Sequence, residues 1–289
     1  MHKITHSRRW LALLALLLAA CDMAEPETRS PVPTRPIPTL FPTSIVAAPS
    51  VAAPAPAQPA DSGWLPGGVG VELRRMRVPG ASGRPAFPIV IVRLDPSKVR
   101  LRVAYAPERP RALHTWFDEA RPLLAVNGGF FAEDYHSTAL VISDGAVSGP
   151  SYEGFGGMLT VAPDGGIALR ALRDQPYDPD ESLAQAMQSF PMLVFPGGEV
   201  APIDDDGKRA RRTAVALDRA GRLMLIASPT SDFTLRGFAD WLGDGDLDID
   251  RALNLDGGSS TGLFLRSGAL SEQIDSLVPL PLVLLVEPK

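Results

Sequence analysis

The chain has 289 residues, 45% of them hydrophobic and 21% charged, which is enough for a sizeable folded core and excludes a wholly disordered protein. It carries 28 Lys and Arg against 33 Asp and Glu, and this net charge of -5 argues against a general binder of nucleic acid or anionic membranes. Its single cysteine excludes an internally disulfide-linked fold.

The N-terminus has the pattern of an export signal. Three basic residues precede an uninterrupted apolar run over 10–20, which is short for a membrane span. Small residues then lead to Cys21, which resembles the lipobox of bacterial lipoproteins, and Asp22 resembles the retention signal of some inner-membrane lipoproteins. We predict a signal peptide over 1–20, lipidation of Cys21 and an exported, membrane-anchored protein on the periplasmic side of the envelope. A plain secretory signal is the alternative.

The next segment is rich in proline and alanine. Ten of the 29 prolines lie within 24–60, with little charge and no apolar period. Such chain favours extended, unpacked conformations, so we predict a disordered tether over 21–63. The remaining residues, 64–289, are predicted to form a single domain.

The predicted domain is rich in short apolar segments separated by Gly, Pro and Asp. Hairpin turns are expected at 144–145, 164–166 and 218–222, where Gly follows Asp directly or within a few residues. The predicted strands cover 87–94, 99–105, 123–126, 140–142, 158–161, 192–195, 213–217, 223–227 and 252–255. Helices are predicted over 111–120, 181–190 and 234–242. This pattern predicts an α+β fold with a mixed β-sheet core and a few covering helices.

One candidate binding loop follows the predicted strand at 252–255. Asp256 is placed at the strand end, and Gly257 and Gly258 allow a sharp turn that directs N–H groups into one space. Ser259 and Ser260 add hydroxyl groups beside it. The stretch therefore suits an anion, although an ordinary capped turn also fits.

A similar arrangement follows the predicted strand at 123–126. Asn127 can donate and accept hydrogen bonds, Gly128 and Gly129 again permit a tight path, and the rings of Phe130 and Phe131 suit either sugar stacking or a core.

A third candidate is Arg212, at the entrance of the strand predicted over 213–217. A guanidinium there could bind a phosphate, and a solvated basic loop is the alternative.

Together these motifs resemble the phosphodiester glycosidase family. The residues that carry the resemblance are NGGFF at 127–131, LVISDG at 140–145, SFPMLV at 189–194, RTA at 212–214 and ALNLDGGSSTG at 252–262. The resemblance implies hydrolysis of a sugar–phosphate diester at the anomeric carbon. Family members often have a third glycine after the acid, where this chain has Ser259.

The resemblance also implies roles for the candidate residues. Asp256 would be the base or nucleophile, Arg212 would hold the phosphate, and Asn127 would orient a sugar hydroxyl. The substrate and its phosphate would contact two loops, represented by Gly128, Gly129, Phe130, Gly257, Gly258, Ser259 and Ser260. We expect a glycan or sugar-phosphate substrate, the membrane as a partner through the lipid anchor, no nucleic acid, no catalytic metal and no cofactor.

Two other functions fit parts of the sequence. A lipoprotein module that binds envelope glycan or a partner without turnover would have the same anchor and tether. A serine hydrolase would use Ser260 within G-x-S-x-G, but no histidine follows position 260, where that motif usually has one. Glu133 and Asp134 are candidates for a second carboxylate or for solvated turn acids.

The acidic segment 244–250 is either a solvated loop or a structural calcium site. The EF-hand spacing fails, because Ile249 stands at the sixth position. The same two interpretations apply to the acids at 204–206.

Overall fold

The computed structural model describes residues 59–80 and 83–289, and their secondary structure is largely β. The predicted signal peptide, Cys21 and nearly all of the predicted tether lie outside these residues. No helix in the described part of the chain has the length and hydropathy needed to cross a bilayer.

The described strands form three sheets. The first sheet consists, in spatial order, of β1 (Leu65–Pro66), β2 (Val71–Val78), β3 (Phe87–Leu94), β14 (Leu223–Phe233), β13 (Ala210–Asp218), β15 (Ile249–Asn254), β11 (Met192–Phe195) and β12 (Glu199–Val200). The second consists of β17 (Leu270–Ile274), β16 (Leu263–Ser267), β5 (Leu124–Asn127), β18 (Leu282–Pro288) and β4 (Val99–Tyr105). The third consists of β7 (Ala146–Ser148), β6 (Val141–Ser143), β10 (Gln185–Ser189), β8 (Gly157–Val161) and β9 (Ile167–Ala171).

Every described strand pairing is antiparallel, so the prediction of a mixed sheet is wrong. The three predicted hairpin turns are confirmed, because they join β6 to β7, β8 to β9 and β13 to β14. At the first of them Asp144 and Gly145 have φ of 50° and 80°, which matches the right-handed twist of the flanking strands.

Two α-helices lie in the described chain, α1 (Leu113–Ala120) and α2 (Leu235–Asp244). The helices predicted over 111–120 and 234–242 are confirmed. Thr234 caps α2, because its hydroxyl accepts a hydrogen bond from the Gly237 N–H at 3.0 Å. The helix buries Phe238, Ala239 and Leu242.

The helix predicted over 181–190 is wrong. This segment contains β10, whose five residues are all buried and which pairs with both β6 and β8. Ala, Met and Gln are good helix formers, but burial on both faces of a central strand overrides that weak preference. The domain therefore has fewer helices than the α+β prediction required.

The core has two main layers on either side of the first sheet. Leu223 and Leu225 of β14 face the cluster shared with the second and third sheets, whereas Met224 and Ile226 face α2. Helix α1 covers the opposite face of the second sheet. The ends of β5 and β15 meet beside the shared layer, and this junction holds the candidate site.

Candidate functional site

The two predicted Gly-Gly loops converge at the ends of β5 and β15. The backbone N–H of Asp256 donates to the carbonyl oxygen of Gly128 at 3.0 Å. The Nδ2 of Asn127 donates to the carbonyl oxygen of Asp256 at 2.7 Å. The expectation that these two distant segments meet is therefore correct, although they meet through the backbone of Asp256 and not through its carboxyl group.

Asn127 is sealed inside this junction, with 1% of its surface exposed. Its Oδ1 accepts from the Thr213 hydroxyl at 2.9 Å and from the Gly262 N–H at 3.0 Å. Its Nδ2 also donates to the carbonyl oxygen of Gly128 at 3.3 Å. The amide therefore has protein partners on both its donor and its acceptor side, and this geometry contradicts the prediction that it contacts a sugar hydroxyl.

Gly128 and Gly129 are likewise used for packing. The N–H of Gly128 donates to the Leu282 carbonyl oxygen at 3.0 Å, and that of Gly129 donates to the Met187 sulfur at 3.0 Å. A Cβ on Gly128 would lie 2.5 Å from the Leu282 Cγ, and a Cβ on Gly129 would lie 2.8 Å from the Gln188 carbonyl oxygen. These glycines permit close approach of three strands, and their buried N–H groups do not face a substrate as predicted.

Asp256, in contrast, is only partly buried. Its Oδ1 accepts from the Gly257 N–H at 2.9 Å, and the Ser260 hydroxyl also bonds its side chain. No Lys, Arg or His of the described residues forms a salt bridge with it. Burial raises the pKa of Asp256, while the bonds from Ser260 and Gly257 oppose that rise.

The loop after Asp256 combines close packing with open backbone donors. A Cβ on Gly257 would lie 2.9 Å from the Arg211 carbonyl oxygen, whereas Gly258 has a φ of 58° and open space around it. Within the described chain, the N–H groups of Gly258 and Ser259 have no hydrogen-bond acceptor. Ser259 is exposed and its φ is not positive, so a serine fits in place of the third glycine without backbone strain.

The predicted phosphate ligand Arg212 lies on the other face of β13. Side chains alternate along a strand, and Thr213 bonds Asn127 while Ala214 packs in the cluster around α2. Arg212 shares the face of Ala214, and its Nε donates to the Phe233 carbonyl oxygen at 3.3 Å. The geometry therefore contradicts the prediction that Arg212 and Asp256 face one cleft.

The preceding residue, Arg211, is the cation beside the Asp256 loop. It is 8% exposed, and its Nη2 donates to the carbonyl oxygens of Thr261 and Asp275 at 2.7 and 2.9 Å. Its buried Nε has no partner in the described chain. Burial lowers the pKa of Arg211, but an arginine remains protonated at neutral pH. Alternation of side chains along β13 places Arg211 and Arg212 on opposite faces, but which of them faces the Asp256 loop depends on how the sheets pack.

The two aromatic residues of NGGFF point in different directions. Phe131 packs against the α1 cluster and stacks on Tyr135 at 5.9 Å between ring centroids. Phe130 lies 4.7 Å from the ring of Phe190. Only Phe130 therefore remains a candidate for contact with substrate.

Ser260 is 3% exposed and its hydroxyl bonds the side chain of Asp256. In the described residues, His114 pairs with Asp275 at 2.6 Å, and His136 lies near Asp134 and Glu108. Neither histidine bonds Ser260, so the geometry gives no activated serine.

The acids at 244–250 are largely paired with arginines. Asp246 bonds Arg74 at 2.7 and 3.0 Å, and the next two acids pair with Arg219 and Arg251. No three His, Cys, Asp or Glu side chains among residues 59–80 and 83–289 form a group that could hold a metal ion. Glu133 and Asp134 are both exposed.

Three solved structures share the fold. The first is the catalytic domain of zebrafish N-acetylglucosamine-1-phosphodiester alpha-N-acetylglucosaminidase, auto-inhibited by its pro-peptide, with 19% identity over 81% of this chain and 86% of that one and a TM-score of 0.60. The second is a hypothetical protein from Synechocystis, with 18% identity over 76% of this chain and 62% of that one and a TM-score of 0.54. The third, from Burkholderia pseudomallei K96243 and described as exported, has 13% identity over 72% of this chain and 75% of that one and a TM-score of 0.50.

Comparison with curated proteins gives no match. The family model described as phosphodiester glycosidase matches residues 120–286, which include β5, β13, β15 and the loop that carries Asp256. The match covers more than half of the chain. The chain therefore belongs to the phosphodiester glycosidase family.

Proposed function

We propose that this protein hydrolyses glycosyl phosphodiesters at the anomeric carbon, with Asp256 as base or nucleophile. The observation that carries the proposal is the partly buried carboxyl group of Asp256, which has no cationic partner among the described residues and stands beside backbone N–H groups that have no acceptor there. Family membership supports the reaction type. The name of the zebrafish relative supports an N-acetylglucosamine 1-phosphodiester as the first substrate to test.

The chemistry suits this arrangement. Either Asp256 or a water molecule that it deprotonates attacks the anomeric carbon, and the bond to the phosphate oxygen breaks with its electrons leaving on the phosphate. In the first case, water then hydrolyses the glycosyl-enzyme. A phosphate leaving group needs little protonation, so stabilisation of its charge is the main requirement. The N–H groups of Gly258 and Ser259, which have no acceptor in the described chain, supply donors for the phosphoryl oxygens.

Arg211 replaces Arg212 as the proposed source of positive charge. Its guanidinium binds the backbone carbonyls at 261 and 275, and no carboxylate of the described chain forms a salt bridge with it, although the Asp275 carboxylate is near enough to interact with its charge. Such a buried charge acts strongly on a neighbouring anion because the local dielectric constant is low. Asn127 becomes a positioning residue that holds the Asp256 backbone.

We also propose that the protein acts in the cell envelope as an exported lipoprotein. The support is the basic and apolar N-terminus, the cysteine at position 21 and the proline-rich segment, together with a structural relative described as exported. A lipid anchor with a tether would keep the domain near membrane-linked glycan phosphodiesters. Asp22 favours the inner membrane.

The proposal is tested with the purified full chain and a panel of methyl phosphodiesters of N-acetylglucosamine, glucose and mannose 1-phosphate. The expected result is release of a reducing sugar from one of them. Asp256→Asn should slow that release by about 10²- to 10⁴-fold. The control Asp118→Asn changes an exposed acid of α1 without an ion pair in the described chain, and it should leave the rate unchanged.

Two outcomes contradict the proposal. Equal rates for Asp256→Asn and the full-length parent protein would remove Asp256 from the reaction. Calorimetric binding of a diester without any sugar release would identify a binding module instead. The same assay on Arg211→Met and Arg212→Met should show the larger loss for Arg211.

A further inference from the structure

Four aromatic rings form a cluster beside the Asp256 loop, which we call the aromatic shelf: Phe130, Tyr152, Phe155 and Phe190. Tyr152 stacks on Phe155 with ring centroids 4.7 Å apart, and Phe190 lies 4.7 Å from Phe130 and 5.8 Å from Tyr152. Phe155 is 50% exposed and Phe190 is 39% exposed. The other exposed large hydrophobic side chains of the described chain are aliphatic and include no ring.

The shelf is joined to the Asp256 loop by two short connections. Phe130 lies two residues after Gly128, whose carbonyl oxygen accepts a hydrogen bond from the Asp256 N–H. Phe190 is held by Asn254, two residues before Asp256, because the Asn254 Nδ2 donates to the Phe190 carbonyl oxygen at 2.9 Å. Each connection spans two residues, so it bridges at most about 7 Å of backbone between the shelf and the Asp256 loop.

The loop that carries Tyr152 and Phe155 is fixed by buried interactions. Gln188 is 0% exposed, and its Oε1 accepts from the Tyr152 N–H at 2.7 Å while its Nε2 donates to the Ser151 hydroxyl at 2.8 Å. Gly156 has a φ of 76°, and a Cβ there would lie 2.6 Å from the Ser189 carbonyl oxygen. The backbone of the loop that carries Tyr152 and Phe155 is thus held in place by the fold.

We propose that the aromatic shelf is a sugar-binding subsite that stacks against one pyranose ring of the substrate whose bond is cleaved at Asp256. Aromatic faces suit the C–H groups of a pyranose, and polar groups at their edge suit its hydroxyls. The shelf has both, because the exposed Thr138 Oγ1 lies 3.1 Å from the Tyr152 hydroxyl at its edge. This inference rests on the proposed function, and it names the part of the substrate that gives affinity.

The test uses the full chain and the methyl phosphodiester that it hydrolyses best. Phe155→Ala should raise KM by about 3- to 10-fold with little change in kcat, because a stacked ring contributes to binding in ground and transition states alike. Phe155→Trp should retain the KM of the parent protein. Val69 is an exposed apolar residue in the β1–β2 turn, and Val69→Ala is the control that should leave KM unchanged.

The outcomes separate this inference from the proposed function. If the protein is active and Phe155→Ala leaves its KM unchanged, the proposed sugar-binding role of the shelf is wrong and the proposed hydrolase activity stands. If no diester is hydrolysed, calorimetric titration with N-acetylglucosamine 1-phosphate and its methyl ester tests whether the aromatic shelf binds a sugar. Binding that is weakened by Phe155→Ala but not by Val69→Ala would support the shelf without catalysis. Absence of binding, or Phe155-dependent binding only to phosphatidylglycerol vesicles, would overturn it.

Discussion

The Asn-Gly-Gly stretch at 127–129 and the Asp-Gly-Gly stretch at 256–258 are nearly identical in pattern, yet the fold uses them differently. Both follow a buried strand, and they bond each other through the backbone. The first is sealed and has all its N–H groups bonded, whereas the second is partly exposed and leaves the Gly258 N–H without an acceptor in the described chain.

One side-chain difference accounts for this division. An amide carries donors and acceptors, so Asn127 can satisfy buried groups on both sides of the junction. An ionised carboxylate only accepts, and its burial is costly without enough donors or a cation. Asp256 therefore stays at the rim, with two donors and a raised pKa. The comparison indicates that Asn127 holds the junction together and that Asp256 is available for chemistry.

Substitution of the two residues should change stability in opposite directions. Asn127→Ala leaves buried partners such as the Thr213 hydroxyl and the Gly262 N–H unsatisfied, which should lower the free energy of unfolding by about 1–3 kcal/mol. Asp256→Asn should raise the unfolding free energy at neutral pH, because it removes a partly buried charge. Calorimetric unfolding between pH 3 and 8 measures both effects.

The pH dependence of the stabilisation by Asp256→Asn follows from the direction in which the pKa of Asp256 is shifted. Burial raises the folded-state pKa of Asp256, so protonation favours the folded chain, and that stability is fully present below the ordinary carboxyl pKa and lost as pH rises through the folded value. The gain from Asp256→Asn should therefore vanish at low pH and grow toward neutral pH. Asp118→Asn, at an exposed position, should show no such trend.

A stable Asn127→Ala variant that has lost substrate binding would mean that Asn127 contacts the sugar after all.

A pair of glycine substitutions tests the same contrast in the backbone. Gly128→Ala places a Cβ 2.5 Å from the Leu282 Cγ and 2.9 Å from its carbonyl oxygen, so overpacking should cost about 1–3 kcal/mol of stability. Gly258→Ala meets no neighbouring atom and carries only the strain of a positive φ, about 1–2 kcal/mol at most. Urea unfolding of both variants measures the difference. A larger loss for Gly258→Ala would contradict the view that the first loop is the packed one.

The sequence predicted half of the eighteen strands of the described chain, because apolar alternation and Asp-Gly turns are local signals. All nine predicted strand segments overlap strands of the structure, and both loops lie at strand ends as expected. The sealing of Asn127 could not be predicted, because its partners at 213 and 262 are close only after the first and second sheets pack. The choice between Arg211 and Arg212 required the orientation of β13, which depends on the same packing. Strand β10 was not predicted, because a strand that is buried on both faces shows no alternation of apolar and polar residues.

The smallest expected effect is that of Ser260→Ala, which tests whether the Asp256 carboxyl group must be ionised for activity. The Ser260 hydroxyl bond lowers the pKa of Asp256 against the larger effect of burial. A base or nucleophile must be ionised, so activity should fall as pH drops through the pKa of Asp256. Ser260→Ala removes one stabilising donor, and the acidic limb of kcat/KM should therefore move to higher pH while the plateau above it is largely kept. Ser259→Ala, whose hydroxyl is not among the groups that bond Asp256, is the control and should leave the limb in place. A limb that moves to lower pH in Ser260→Ala, or one that moves equally in both variants, would show that the ionisation of Asp256 does not govern the rate.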